Sequence, residues 1–155
     1  MKTISTNNVE NYMSTIEVAT TVEKAYNALT REISLWWTEM FEGSSLHTGD
    51  LFTIRFGDNI YKTMQVKELS PCSKVIWFVE DSLIALPELK NRTEWIGTTI
   101  IWEIEPKEDD TRIKVTHIGL NPDIECYEIC SNGWIQFLGS LKLFLETGEG
   151  KPYRK

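Results

Sequence analysis

Long apolar runs are missing from this chain of 155 residues. No stretch approaches the roughly 20 residues that a membrane-spanning helix needs, so no membrane span is expected. The opening MKTISTNNVENYMST lacks the apolar centre of a secretory signal, which makes the cytoplasm the expected location. Cysteine is scarce as well: three residues, an odd number in no framework spacing, argue against a disulfide scaffold and suit a reducing compartment. Basic clusters are absent and the net charge is −7, so no nucleic-acid partner is expected. The chain has no P-loop, dinucleotide fingerprint, nucleophile elbow or zinc-protease signature. Its acids fall on outward strand positions or in turns such as Glu108-Asp109-Asp110. No catalytic residue, metal or cofactor is therefore assigned.

What is present is aromatic. Six tryptophans are too many for solvent, and a single core can hold them only around a large, partly aromatic interior. The C-terminal segment from Asp123 to Gly148 reads as one amphipathic helix of about seven turns. Tyr127, Cys130, Trp134, Leu138, Leu141 and Leu145 share a wedge of it, while Glu128, Asn132, Gln136, Ser140 and Glu146 lie opposite. Asn121-Pro122-Asp123 predicts the cap and Gly148 the stop. Upstream, alternation at period two predicts strands at 15–19, 52–56, 63–67, 97–105 and 113–118, and the almost continuously apolar run 74–80 predicts another. Two short helices follow the first strand, the second with Ile33, Trp36, Trp37 and Met40 inward and broken by Glu42-Gly43. Residues 81–92 carry neither period and read as a loop, and residues 1–12 as a loose arm. Strands segregated from helices indicate an α+β class: a curved antiparallel sheet of about six strands wrapped around the long C-terminal helix. The whole of 1–155 is expected to form a single domain.

Several short motifs carry a family resemblance. Ser14-Thr-Ile-Glu-Val-Ala-Thr20, Glu23-Lys-Ala-Tyr-Asn-Ala-Leu-Thr30, Trp36-Trp37 and Glu42-Gly43 open the likeness. Thr116-His-Ile-Gly-Leu120, Cys130-Ser-Asn-Gly-Trp134, Ser140-Leu-Lys142 and Glu146-Thr-Gly148 close it. Together they resemble START-like (SRPBCC) proteins, and more closely the bacterial relatives of the activator of the heat-shock-protein-90 ATPase. The resemblance implies a helix-grip fold, a sheet gripping the last helix around an apolar cavity. Members of the superfamily bind lipids, polyketides, hormones or other hydrophobes, and some are cyclases or co-chaperones.

Three functional readings follow. The first is a binder of a small hydrophobic molecule of lipid, polyketide or aromatic type. The expected cavity wall is His117, Trp102, Trp134, Phe52, Ile54, Phe56, Trp77, Ile100, Val115, Cys130, Leu138 and Leu141. The second is an interaction module with a heat-shock-protein-90 homologue as partner, presenting Ile76, Phe78 or the 81–92 loop. An apolar outer face at Lys74–Glu80 would also suit a homodimer. The third is a cyclase or dehydratase that moves a proton through His117, which alternation puts on the cavity side. Against it stands a core histidine satisfied by buried partners. Cys126 and Cys130, four apart, approach His117 in this reading but lack a fourth ligand, so metal binding is not assigned. Arg55 and Glu103 are expected to face outward.

Overall fold

The architecture was obtained as a computed structural model that describes residues 10–154. In chain order its elements are β1 (Tyr12–Val18), α1 (Val22–Thr30), α2 (Ile33–Trp36) and β2 (Phe41–Gly43), then β3 (Leu51–Arg55) and β4 (Ile60–Ser70). β5 (Lys74–Ile84), β6 (Thr99–Lys107), β7 (Asp110–Ile118) and α3 (Tyr127–Thr147) complete it. Seven antiparallel strands form one sheet in the order β1-β7-β6-β5-β4-β3-β2. This is the α+β helix-grip arrangement that the sequence pattern predicts, with α3 an unbroken helix through Asn132-Gly133. Thr21 caps α1, its hydroxyl accepting from Lys24 N at 3.2 Å.

The seventh strand is β2, formed where Glu42-Gly43 reads as a break. Gly43 sits at φ +94°, and a Cβ there would stand 2.4 Å from the Leu51 carbonyl oxygen. Only glycine permits that close approach to β3. Of the expected arm, residues 1–9 lie outside the described residues, while Tyr12 already begins β1. Its ring lies 6.3 Å from that of Trp134.

β5 also runs further than expected, through Ile84, and the reason is a bulge. Thr63 pairs with Asp81 but Met64 with Val79, so Glu80 is the extra residue. A single inserted residue reverses the parity of everything after it. Val75, Trp77 and Val79 therefore face inward before the bulge, and Ser82 and Ile84 after it. Strict period two, by contrast, ends the strand at Glu80.

The start of α3 corrects another expectation. The helix begins at Tyr127, not Asp123, and Asn121 instead accepts from Asp123 N in a turn at 2.9 Å. The residues that lead into its first turn are tied down from a distance. The Glu94 carboxylate accepts from Glu125 N and Cys126 N, both at 3.0 Å. Glu125 answers by accepting from Lys90 N and Asn91 N at 2.7–3.0 Å. These charge-assisted bonds tie the β5–β6 loop to the positive end of α3. At the other end Ser140, expected on the solvent face, is buried. Its hydroxyl donates to Trp36 O at 2.6 Å and accepts from Lys151 N at 2.7 Å, fixing the C-terminal tail. Glu94→Ala is expected to lower stability by roughly 1–2 kcal/mol, the usual cost of a lost cap. Urea unfolding measures it, and an unchanged midpoint would contradict the clamp.

Candidate functional site

The interior between sheet and α3 is filled by indoles. Trp36 stacks on Trp37 at 5.3 Å, Trp37 meets Trp77 at 5.8 Å and Trp134 at 5.4 Å, and Trp102 stands edge-on to Trp77 and Trp134 at 5.7 Å. Trp95 joins through Trp134 at 6.1 Å, so all six tryptophans are in one connected set. Phe52, Ile54, Ile100, Trp102 and Val115 face inward as alternation predicts, as do Leu138 and Leu141 by helical spacing and Trp77 on β5, yet none of them lines the cleft described below. They are core, buried against one another. The central cavity expected from the sheet-and-helix arrangement is occupied by side chains. Trp77 and Trp102 keep buried indole N–H groups without an acceptor among the described residues, each at a cost of about 1–3 kcal/mol.

His117 belongs to this core too, which corrects its assignment to the cavity wall. It is fully buried. Thr98 Oγ1 donates to Trp95 O at 2.6 Å, so its one hydrogen is used, and His117 Nε2 at 2.9 Å must donate to it. Trp134 Nε1 donates to His117 Nδ1 at 3.1 Å. Both ring nitrogens are thereby committed and the imidazole is the neutral Nε2–H tautomer. Burial, helped by the charge of Lys62, pulls its pKa down to about 3. Gly119, at φ +104°, makes the contact feasible, because a Cβ there would come 2.6 Å from Thr98 Cγ2. Both ring nitrogens are engaged within the core, so in this structure His117 presents no free nitrogen to the cleft.

Open space exists at one margin instead. A cleft of about 290 Å³ lies between the N-terminal half of α3 and the free ends of β3, β4 and β5. Phe56, Cys130 and Trp134 of the expected wall line it. The remainder of the wall does not follow from the sequence pattern: Trp37, Ile60, Lys62, Ile84, Leu86, Trp95, Ile129, Gly133, Gln136, Phe137 and Tyr153. Lys62 could have been found, since it precedes Met64 and Val66 by whole steps of two on the inner face. Trp95 and Leu86 lie in the aperiodic β5–β6 loop and give no such signal. A larger depression on the outer face carries more charge, and within it Arg112 pairs with Glu17 at 3.2 Å and with Glu105 at 3.0 Å. Arg55 and Glu103 face outward as expected, Arg55 paired with Glu42 at 2.6 Å.

The polar content of the cleft is small. Trp95 Nε1 donates to Cys130 Sγ at 3.1 Å, and the Cys130 and Cys126 sulfurs, 2.7 Å apart, share a thiol hydrogen. That hydrogen bond, together with burial, raises the pKa of Cys126. The same bond, with Lys62 nearby, lowers that of Cys130. Cys126 is fully buried, not on the helix flank. No group of three or more potential metal ligands comes together among the described residues.

Comparison with known proteins now places the chain. The family described as Activator of Hsp90 ATPase homolog 1-like protein matches residues 19–146. The chain belongs to that family. Among solved structures, the chain is similar to the Aha1 dimer from Colwellia psychrerythraea. The identity is 29%, covering 90% of this chain and 98% of that one, at a TM-score of 0.72. An HSP90 activator from Plasmodium falciparum shares the fold at 24% identity, 88% and 96% coverage and a TM-score of 0.62. DynU16, from the dynemicin biosynthetic locus, shares it at 19% identity, 93% and 50% coverage and a TM-score of 0.69. No curated protein matches the chain. Among the described residues no helix is long and apolar enough to cross a membrane.

The state of His117 has a measurable consequence. Its pKa is lower folded than unfolded, so its contribution to stability is full above about 6.5 and declines as pH falls toward about 3. The expected slope is about 1.4 kcal/mol per pH unit in that window. Long-range ¹H–¹⁵N spectra at pH 5 should show the neutral Nε2–H tautomer. An imidazolium signal in folded protein at that pH would refute the network.

Proposed function

We propose that this chain binds a small, largely apolar molecule in the cleft between α3 and the ends of β3, β4 and β5. The observation that carries the reading is the wall itself: aromatic and aliphatic side chains from five separate segments converge on one space, with few polar groups among them. About 290 Å³ sits at the lower bound of the roughly 300–1,000 Å³ of small-molecule sites. A ligand of one or two fused rings suits that volume and a two-tailed lipid does not. Trp37, Trp95 and Trp134 offer flat faces for it.

Gly133 gives a direct test. It lines the cleft from α3, and a Cβ added there meets nothing within 4 Å. Gly133→Ala should stabilise the helix by about 1 kcal/mol, whereas Gly133→Leu should fill the cleft while the fold persists. Titration with the neutral probe N-phenyl-1-naphthylamine, read by tryptophan quenching, should give saturable binding that weakens at least about tenfold in Gly133→Leu. Absence of saturable binding to the unmodified chain would overturn the reading.

A second reading rests on the relatives. Two similar structures are named Aha1 or HSP90 activator, one of them as a dimer, which supports an interaction module acting on a heat-shock-protein-90 homologue and able to pair with itself. The outer sheet face suits that role. Register aligns Met13, Thr116, Ile101 and Ile76 in one row across β1, β7, β6 and β5. The chain should then change the ATPase rate of its host's own homologue, and Ile76→Lys should reduce the effect. An unchanged rate at saturating protein would remove this reading.

A further inference from the structure

A lysine is an expensive residue to place on the inner face of a strand, and β4 places one there. Lys62 shares its face with Met64 and Val66 and is only 9% exposed. Its Nζ lies 4.3 Å from the centre of the Trp95 ring and 4.8 Å from that of Phe56. Those ring faces attract a cation, but they accept no ordinary hydrogen bond. No carboxylate pairs with Lys62 among the described residues, although other basic groups such as Arg55, Lys107 and Arg112 have one. Directly across the β4–β5 ladder stands Ser82, 1% exposed, whose hydroxyl has no partner either. Lys62 thus stands at the wall of a largely apolar cleft, with a second unpartnered donor beside it on the neighbouring strand. An ionised group buried without a counter-charge is destabilising, and an apolar side chain of similar length would remove the penalty. Burial draws the lysine pKa down to about 8, which still leaves it cationic near neutrality. Beyond those two ring contacts the fold gains nothing from the charge that methionine would not provide.

We infer that the ligand of this cleft is an organic carboxylate with a flat apolar body, its carboxylate held by Lys62 with Ser82 as the adjacent donor. The inference rests on the pocket reading above and adds the ligand's charge. An arylcarboxylic acid satisfies both walls at once. Its ring occupies the space bounded by Trp37, Trp95, Trp134 and Phe137, and its oxygens reach the ammonium group. Burial strengthens such a pair relative to the same contact in water. The competing source of negative charge is internal: a Cys130 thiolate that already neutralises Lys62.

The test compares 2-naphthoate with its uncharged isostere 2-naphthamide by calorimetry at pH 7, on the full chain and on Lys62→Met and Cys130→Ala. The acid is expected to bind the unmodified chain at least about tenfold tighter than the amide. Lys62→Met should equalise the two while melting at a higher temperature, and Cys130→Ala should keep the preference. Equal binding of acid and amide to the unmodified chain would overturn the inference and leave the pocket reading standing. Preference surviving in Lys62→Met would overturn it too, as would preference lost in Cys130→Ala. If neither naphthalene probe nor the neutral naphthylamine binds, the pocket reading itself fails.

Discussion

The structure depends on how six indoles share the space between a sheet and one helix. A curved antiparallel sheet closing on a long helix leaves a wedge too wide for aliphatic side chains alone. Here the wedge is filled by Trp36, Trp37, Trp77, Trp102 and Trp134 in alternating stacked and edge-on contacts. Each ring removes a large apolar area from water, and the mixed geometry suits the ring quadrupoles. Filling the centre has a functional consequence. The cleft is left at the margin, where the tryptophan cluster ends and α3 parts from β3, β4 and β5.

That margin is held in place by polar contacts of a different kind. The Glu94 and Glu125 carboxylates exchange backbone hydrogen bonds across the β5–β6 loop and the start of α3. The loop carries Trp95 and Leu86 into the cleft, and Trp95 in turn is joined to Cys130 and edge-on to His117 at 4.4 Å. Helix start, loop and cleft wall are therefore one unit. Histidine and lysine have exchanged the roles that residue chemistry alone would assign them. The imidazole is a fully satisfied structural link, and the ammonium is the group left unsatisfied.

Membership of the Hsp90 ATPase activator homologue family accounts for the fold and not for the cleft. The family's resemblance motifs are mostly architectural in this chain. Glu42-Gly43 makes the edge of β2, Gly119 lets Thr98 approach His117, and Ser140 anchors the tail. Gly133 is the exception among them, because it opens space where a side chain would close it.

Strand alternation and helical spacing are enough to make the α+β class, the long C-terminal helix and most inward residues legible in the sequence. Those properties come from local periodicity and burial, which each segment carries in its own residues. The candidate site is legible only in part: Phe56, Cys130 and Trp134 follow from the pattern and Lys62 could have been read from it, while Leu86 and Trp95 do not. Three things hide the rest. The bulge at Glu80 reverses parity in mid-strand, the entry to α3 is tied down by a residue more than thirty positions away, and the β5–β6 loop has no period to read. Whether inward aromatics line a void or fill it depends on the distance between packed layers. By itself the sequence determined which faces turn inward and what they are made of; only the tertiary structure decided where room remained, because free volume belongs to the assembled layers and not to any one of them.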